Sequence, residues 1–310
     1  MLAMLPTALN HMTVPHMRYD GLFELAARLG CVGVELRNDL PAALFQGDDP
    51  ATVRSKAEAA GTRILSLAEV KAFNDWSPAK RDEAVALATL ASACGSEAIS
   101  LIPRNDGHGL ADGERQANLR AALGELKPVL EAFGLIGLVE PLGFESCSLR
   151  HKAELVETIE ALGANDRFKL VHDTFHHFVA GDDPAGDGPL FPDHTGVVHI
   201  SGVVDAGISR SGMRDGHRVL VDGEDRIGNV TQIEAMIGEG YRGPVSFEAF
   251  APSVIFRFHH IPSGADRRLT GVIPALWTRR RCANSRARVI SSQLIYDGAC
   301  DLAKRRNNGL

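Results

Sequence analysis

The sequence predicts an α/β fold, a single-domain (β/α)8 TIM barrel followed by an atypical C-terminal tail, and three observations predict it. Eight short apolar runs recur through the first 250 residues, each closes on or beside a polar or charged residue, and most are followed by a helically spaced segment that stops at glycine. Alternating strands and helices with buried parallel strands define an α/β fold, and eight such units favour closure into a barrel over an open sheet.

In chain order the runs are Met4 to Leu9, Cys31 to Leu36, Arg63 to Ala68, Ala98 to Ile102, Leu135 to Glu140, Phe168 to Asp173, Val197 to Ile200 and Pro244 to Glu248. Between them lie GLFELAARLG, PATVRSKAEAAG, RDEAVALATLASACG, RQANLRAALGELKPVLEAFG, RHKAELVETIEALG and NVTQIEAMIGEG, whose apolar residues recur at three and four. The pattern ends near Ser253, so the barrel is assigned to 1–253 and the remainder, 254–310, to a basic tail. From Ile255 onward there are eleven Lys or Arg against three Asp or Glu, whereas the body carries twenty-two against thirty-six. That reversal marks the tail as either a surface extension or a disordered, wrong-frame segment, with VISSQLIYDGACDLAKRR as a weak substitute for an eighth helix.

A hydrophobic content of 45% excludes global disorder, and a net charge of -6 argues against broad affinity for nucleic acid or an anionic membrane. The five cysteines form no CxxC pair and are odd in number, which suggests neither a disulfide framework nor a cysteine zinc site. The segment MLAMLPTALNHM lacks a basic region followed by a sustained apolar run. A cytoplasmic enzyme is therefore expected, with a small molecule and further copies of the chain as partners.

Function in such barrels collects at the C-terminal ends of the strands, where the βα loops surround one mouth. The fifth run ends at Glu140, the sixth at Asp173, the seventh around His199 and the eighth at Glu248. Four consecutive strands thus aim three carboxylates and one imidazole at one mouth. This oxygen-rich set with one nitrogen suits one divalent ion, Mn²⁺ first, then Mg²⁺, Co²⁺ or Zn²⁺. An ion there can act as a Lewis acid on a bound oxygen, and Glu140 and Glu248 are the candidates to take and return a proton.

These residues carry a family likeness. Through VEPLGF, LVHDTFHHFVAG, VVHISGV, GHRVLVDGEDRIGN and GPVSFEAFAPS, with 33 residues from Glu140 to Asp173 and 26 from Asp173 to His199, the chain resembles the xylose-isomerase-like sugar isomerases and epimerases, the inosose (2-keto-myo-inositol) isomerases in particular. The resemblance covers about residues 3–253. It implies that Glu140, Asp173, His199 and Glu248 hold the metal, that His176 of the Asp-x-x-His motif touches substrate, and that Arg218 binds a substrate oxygen. Asn10 resembles a substrate-contacting asparagine, with a plain turn as its other reading. Trp76 is a candidate apolar wall over the sugar, with ordinary packing as the alternative. Glu35 and Glu69 face the same mouth, where layered salt bridges explain them equally well. His172, His177 and His217 receive no role.

The expected activity is isomerisation or epimerisation of a small polyhydroxylated ketone through an enediolate. A dehydratase on the same scaffold, acting on a 3-dehydroshikimate-like compound, is the nearest alternative. An abasic-site endonuclease would require histidines at the third and fourth strand ends, which read LSLAE and LIPRN.

Overall fold

The computed structural model describes residues 5–182 and 189–254. Eight parallel strands close on themselves in sequence order: β1 (Thr7–Asn10), β2 (Gly33–Arg37), β3 (Arg63–Lys71), β4 (Ala98–Ile102), β5 (Ile136–Val139), β6 (Phe168–Asp173), β7 (Thr195–Ile200) and β8 (Val245–Phe247). The β1 ladder to β8 runs Thr7 to Val245 through Leu9 to Phe247 and seals the barrel. Helices α1 (Tyr19–Leu29), α2 (Pro50–Ala59), α3 (Pro78–Cys94), α4 (Asp112–Phe133), α5 (Lys152–Ala161), α6 (Thr174–Ala180) and α7 (Asn229–Gly238) occupy the crossovers. The predicted TIM barrel is the observed one. Among the described residues no helix is long and apolar enough to cross a membrane. The expected tail from Ile255, with its candidate eighth helix, lies outside the described residues.

Helix boundaries follow local chemistry. Pro50 and Pro78 sit at first-turn positions, where a missing N–H costs nothing, and Asp49 and Ser77 cap those turns through Thr52 and Lys80 amides. Gly30, Gly95 and Gly134 end α1, α3 and α4 in the left-handed conformation. Several strand ends differ from expectation. β1 begins at Thr7, because Pro6 has no N–H and offers only its carbonyl, to Val245; the expected start at Met4 lies outside the described residues. β2 reaches one residue past Leu36, since Arg37 pairs with Ala68, and β3 runs to Lys71 because β4 continues the ladder from Val70 to Leu101. Helix α6 was not expected; it is a two-turn element capped by Asp173, which accepts the amides of Phe175 and His176.

The main apolar core lies between strands and helices. Inside the barrel the period of two layers the side chains. Ala98, Leu138, Val171 and Val197 form an apolar floor. Two residues further along their strands, on the same face, stand Ser100, Glu140, Asp173 and His199.

The outward face of β6 holds a buried polar pair. Lys152 Nζ lies 2.9 Å from His172 Nδ1, and His172 Nε2 lies 3.0 Å from Gln232 Oε1. The Gln232 amide nitrogen donates to the carbonyls of Thr174 and Ile227, so its oxygen must accept from the imidazole and Lys152 must donate to Nδ1. Burial pushes the Lys152 ammonium down from its ordinary 10.5 to about 7. The unfolded chain therefore holds more protons than the fold between about 7 and 10.5, and stability declines as the pH falls through that window. Denaturant unfolding at pH 7 and 9.5 is expected to show this slope, and Lys152→Met is expected to flatten it; an unchanged slope in the variant would assign it to other groups.

Candidate metal centre

Strand register brings the four strand-end residues together. Asp173 and His199 are ladder partners between β6 and β7, and His199 is partnered with Ser246, two residues before Glu248. Glu140 and Glu248 lie just past their strands with their amides still bonded to Leu101 and Ile200. One ligand atom each from Glu140, Asp173, His199 and Glu248 falls within 4.8 Å of the others, and all four residues are buried.

The donor set fits a divalent cation. His199 Nδ1 is buried without a hydrogen-bond partner, 3.3 Å from Glu248 Oε2 and 3.6 Å from Glu140 Oε1. A buried ring nitrogen with no hydrogen-bond partner is costly, and a cation shared with three carboxylates, taken up as the ring sheds its second proton, is a partner whose chemistry matches. The other ring nitrogen, Nε2, is 3.1 Å from both oxygens of Glu35.

Two arginines brace the cluster. Arg218 Nη2 lies 2.5 Å from Asp173 Oδ2 and 2.8 Å from Glu248 Oε2, its Nε donates to Ser201 Oγ, and its Nη1 reaches Asp215. The guanidinium is stacked between the rings of Phe175 and Phe250, at 5.0 and 4.5 Å from their centroids. Only one Nη1 hydrogen is left for anything else. Arg37 meets Glu248 Oε1 at 2.9 Å, grips Asp39 with two nitrogens, and reaches Glu69 at 3.3 Å. Asn10 donates to Glu248 Oε1 at 3.1 Å while its own oxygen caps the following turn.

These contacts divide the two glutamates proposed as proton carriers. Burial, then the charge of Glu248, raises the Glu140 carboxyl to about 7. Burial also works against ionisation of Glu248, but His199, Arg218 and Arg37 outweigh it and hold that carboxyl far below the usual range. For His199 the carboxylates of Glu35 and Glu248 overcome burial and raise its pKa well above the ordinary value.

His176 stands one turn along α6 from Asp173. Its Nδ1 accepts the Gly143 amide at 3.3 Å and its ring meets Phe144 edge-on at 5.0 Å. Burial lowers its pKa, so it is a neutral ring with its hydrogen on Nε2. Trp76 lies in the β3–α3 loop, partly buried against the main core. Glu35 and Glu69 both join the cluster's surroundings, the first under His199 and the second through Arg37. His172 and His177 pack against each other at 5.0 Å, and His217 accepts the Arg214 amide in a rim turn. Arg37 was missed in the sequence because the second strand was ended at Leu36; it sits two residues after Glu35, on the same inward face.

A family model described as the xylose isomerase-like TIM barrel matches residues 23–270, and the chain belongs to that family. Solved structures agree. A xylose isomerase domain-containing protein from Salmonella typhimurium LT2 is similar at TM-score 0.78 and 26% identity, over 90% of this chain and 98% of that one. The IolI protein with a bound zinc atom aligns at TM-score 0.75 and 16% identity, over 89% and 97%. D-psicose 3-epimerase with D-tagatose, from Clostridium cellulolyticum H10, aligns at TM-score 0.64 and 18% identity, over 89% and 98%. A search of curated proteins finds no match to the chain.

The β5–α5 loop ties His176 to the barrel. A Cβ on Gly143 would lie 2.6 Å from the Ala180 amide nitrogen and collide more closely with the His176 carbonyl oxygen. Gly143→Ala is expected to destabilise the fold by about 1–3 kcal/mol, as overpacked sites do. Chemical denaturation checks this, and a variant as stable as wild type would show that the loop yields freely.

Proposed function

We propose that the protein is a divalent-metal-dependent isomerase or epimerase of a small polyhydroxylated ketone, an inosose or keto-sugar, working in the cytoplasm. The observation that carries this reading is the buried set of Glu140, Asp173, His199 and Glu248 with the unpartnered Nδ1 of His199 among its carboxylates. The zinc of the IolI structure and the sugar substrate class of the epimerase structures support it. The four residues hold one ion, with Mn²⁺ the first expectation and Mg²⁺, Co²⁺ and Zn²⁺ the alternatives. The bound ion supplies Lewis-acid polarisation of the carbonyl and the adjacent hydroxyl, which makes the proton on the carbon between them removable.

The chain's own residues do the rest. One of Glu140 and Glu248 takes the proton as carboxylate, leaving an enediolate, and either the carboxylic acid so formed or the other carboxyl in its protonated form returns a proton to carbon. Arg218 and Arg37 keep Glu248 anionic and oriented. His176 offers its Nε2 hydrogen to a substrate oxygen, Asn10 and the remaining Arg218 hydrogen contact hydroxyls, and Trp76 bounds the mouth more remotely. The carbon that receives the returned proton decides between epimerisation and carbonyl migration.

Incubating candidate inososes and ketohexoses in D₂O with Mn²⁺ or Co²⁺, followed by NMR, tests the proposal. Expected is deuterium at the carbon beside the carbonyl, abolished by chelation; release of water from substrate would instead indicate a dehydratase. Glu248→Gln is expected to lower turnover by roughly 10² to 10⁴-fold while retaining part of the metal, because the amide keeps an oxygen and cannot exchange a proton. Full activity in that variant would remove Glu248 from the chemistry.

Metal uptake carries a pH signature. With its pKa raised from 4.5 to about 7, Glu140 keeps its proton in the metal-free fold at acid pH. Its contribution to metal-free stability is complete below 4.5 and is lost as the pH rises through about 7. A metal must displace that proton and the second proton of His199, so apparent affinity is expected to climb with pH from the acid side through about 7, with proton release visible by calorimetry in buffers of different ionisation heat. An affinity independent of pH between 5 and 8 would contradict Glu140 as a ligand.

A further inference from the structure

We propose that Glu35 is the positioning residue of the metal centre: by holding the Nε2 hydrogen of His199 it makes Nδ1 the metal-donor nitrogen and keeps the ring aimed at the carboxylates. This rests on the metal reading above.

Glu35 belongs to β2 and crosses the barrel interior to β7. Both of its oxygens stand 3.1 Å from His199 Nε2. It is 1% exposed, and its other hydrogen bond comes from Ser66 Oγ at 3.1 Å, which in turn receives one from Ser100 Oγ. A buried carboxylate requires hydrogen-bond donors or a cation, and His199 is the charged neighbour that Glu35 contacts. Nε2 therefore keeps its hydrogen. When the ring gives up its second proton to an incoming cation, the lone pair is therefore on Nδ1, the atom that faces Glu140 and Glu248 and has no hydrogen-bond partner.

The opposite tautomer would place a hydrogen on Nδ1 among the carboxylates and leave Nε2 and Glu35 facing each other with lone pairs. That arrangement both repels Glu35 and shuts an ion out. Ser66, itself bonded by Ser100, holds the carboxylate, so the ring is constrained at one nitrogen and open at the other. Carboxylate–histidine pairs of this kind orient a ligand ring and raise its basicity toward a metal. A role for Glu35 in charge layering alone would make no demand on which nitrogen of His199 binds the ion, and that difference separates the two roles.

Zinc affinity of wild type, Glu35→Gln and Glu35→Ala, measured by competition with a chromophoric chelator, tests the proposal together with long-range ¹H–¹⁵N spectra of the zinc-loaded His199 ring. Wild type is expected to show a hydrogen on Nε2 and zinc on Nδ1. Glu35→Ala is expected to weaken zinc binding about 10 to 100-fold. Glu35→Gln retains an acceptor for Nε2, so it should keep the tautomer and lose about threefold to tenfold, a smaller share of the same effect. If the alanine variant does not fold, the glutamine variant carries the test, because the carboxylate charge is part of the assignment. Wild-type affinity in either folded variant, or zinc on Nε2 in wild type, overturns the positioning role while leaving the metal centre in place. A wild-type protein that takes up neither zinc nor Mn²⁺, Co²⁺ or Mg²⁺ removes the metal reading and this inference with it.

Discussion

Three carboxylates and an imidazole share a few ångströms of buried space, and the mutual repulsion of those carboxylates is the constraint around which this barrel mouth is built. With ligand atoms within 4.8 Å of one another, each pair of ionised carboxylates repels by on the order of 3 to 4 kcal/mol at an effective dielectric near 20. The combined repulsion is of the same order as the roughly 5 to 15 kcal/mol that holds a domain together. The fold meets it with Arg218 and Arg37 on Glu248, Arg218 on Asp173, a hydrogen-bonded His199, and a Glu140 carboxyl that retains its proton to about 7. A set arranged in this way would release protons on accepting a divalent cation, so charge balance and the proposed metal uptake are two aspects of one geometry.

That geometry depends on packing around the charges. The apolar floor of Ala98, Leu138, Val171 and Val197 closes the barrel beneath the polar layer. Phe175 and Phe250 sandwich the Arg218 guanidinium, and Phe250 also lies 5.8 Å from that of Arg37. One ring therefore touches both cations, which meet opposite oxygens of Glu248. The β5–α5 loop repeats the principle for His176, where the Gly143 amide holds one nitrogen and Phe144 supports the ring. In each case an apolar contact determines where a polar group can point.

Much of this was legible in the linear sequence because it follows from the period of two in a strand. Glu140, Asp173, His199 and Glu248 were found by asking which polar residue closes each apolar run, and the barrel brings all four together. The same logic failed where a strand end was misplaced by one residue. Ending β2 at Leu36 put Arg37 outside the sheet, yet Arg37 pairs with Ala68 and its side chain contacts Glu248. A charged residue reads as the end of a buried strand unless its partner is known, and here the partner lies more than two hundred residues away. Helix α6 was missed for a related reason: its seven residues are too few to display a helical period, and its start depends on the Asp173 cap.

By itself the sequence determined the number of β/α units, hence closure, and the candidate metal ligands, because periodicity and strand-final chemistry are local properties that survive without coordinates. Only the tertiary structure decided the second role of each group. Arg218, expected on a substrate oxygen, spends two of its four hydrogen bonds on Asp173 and Glu248 and the others on Ser201 and Asp215; Asn10 joins it on Glu248; Trp76 packs against the core; and Glu35, ambiguous in the sequence, lies beneath His199. Those assignments depend on distances between strands that are far apart in sequence. Hydrogen bonds and ion pairs weaken steeply with distance and angle, so they emerge only when the closed barrel sets which ends face one another.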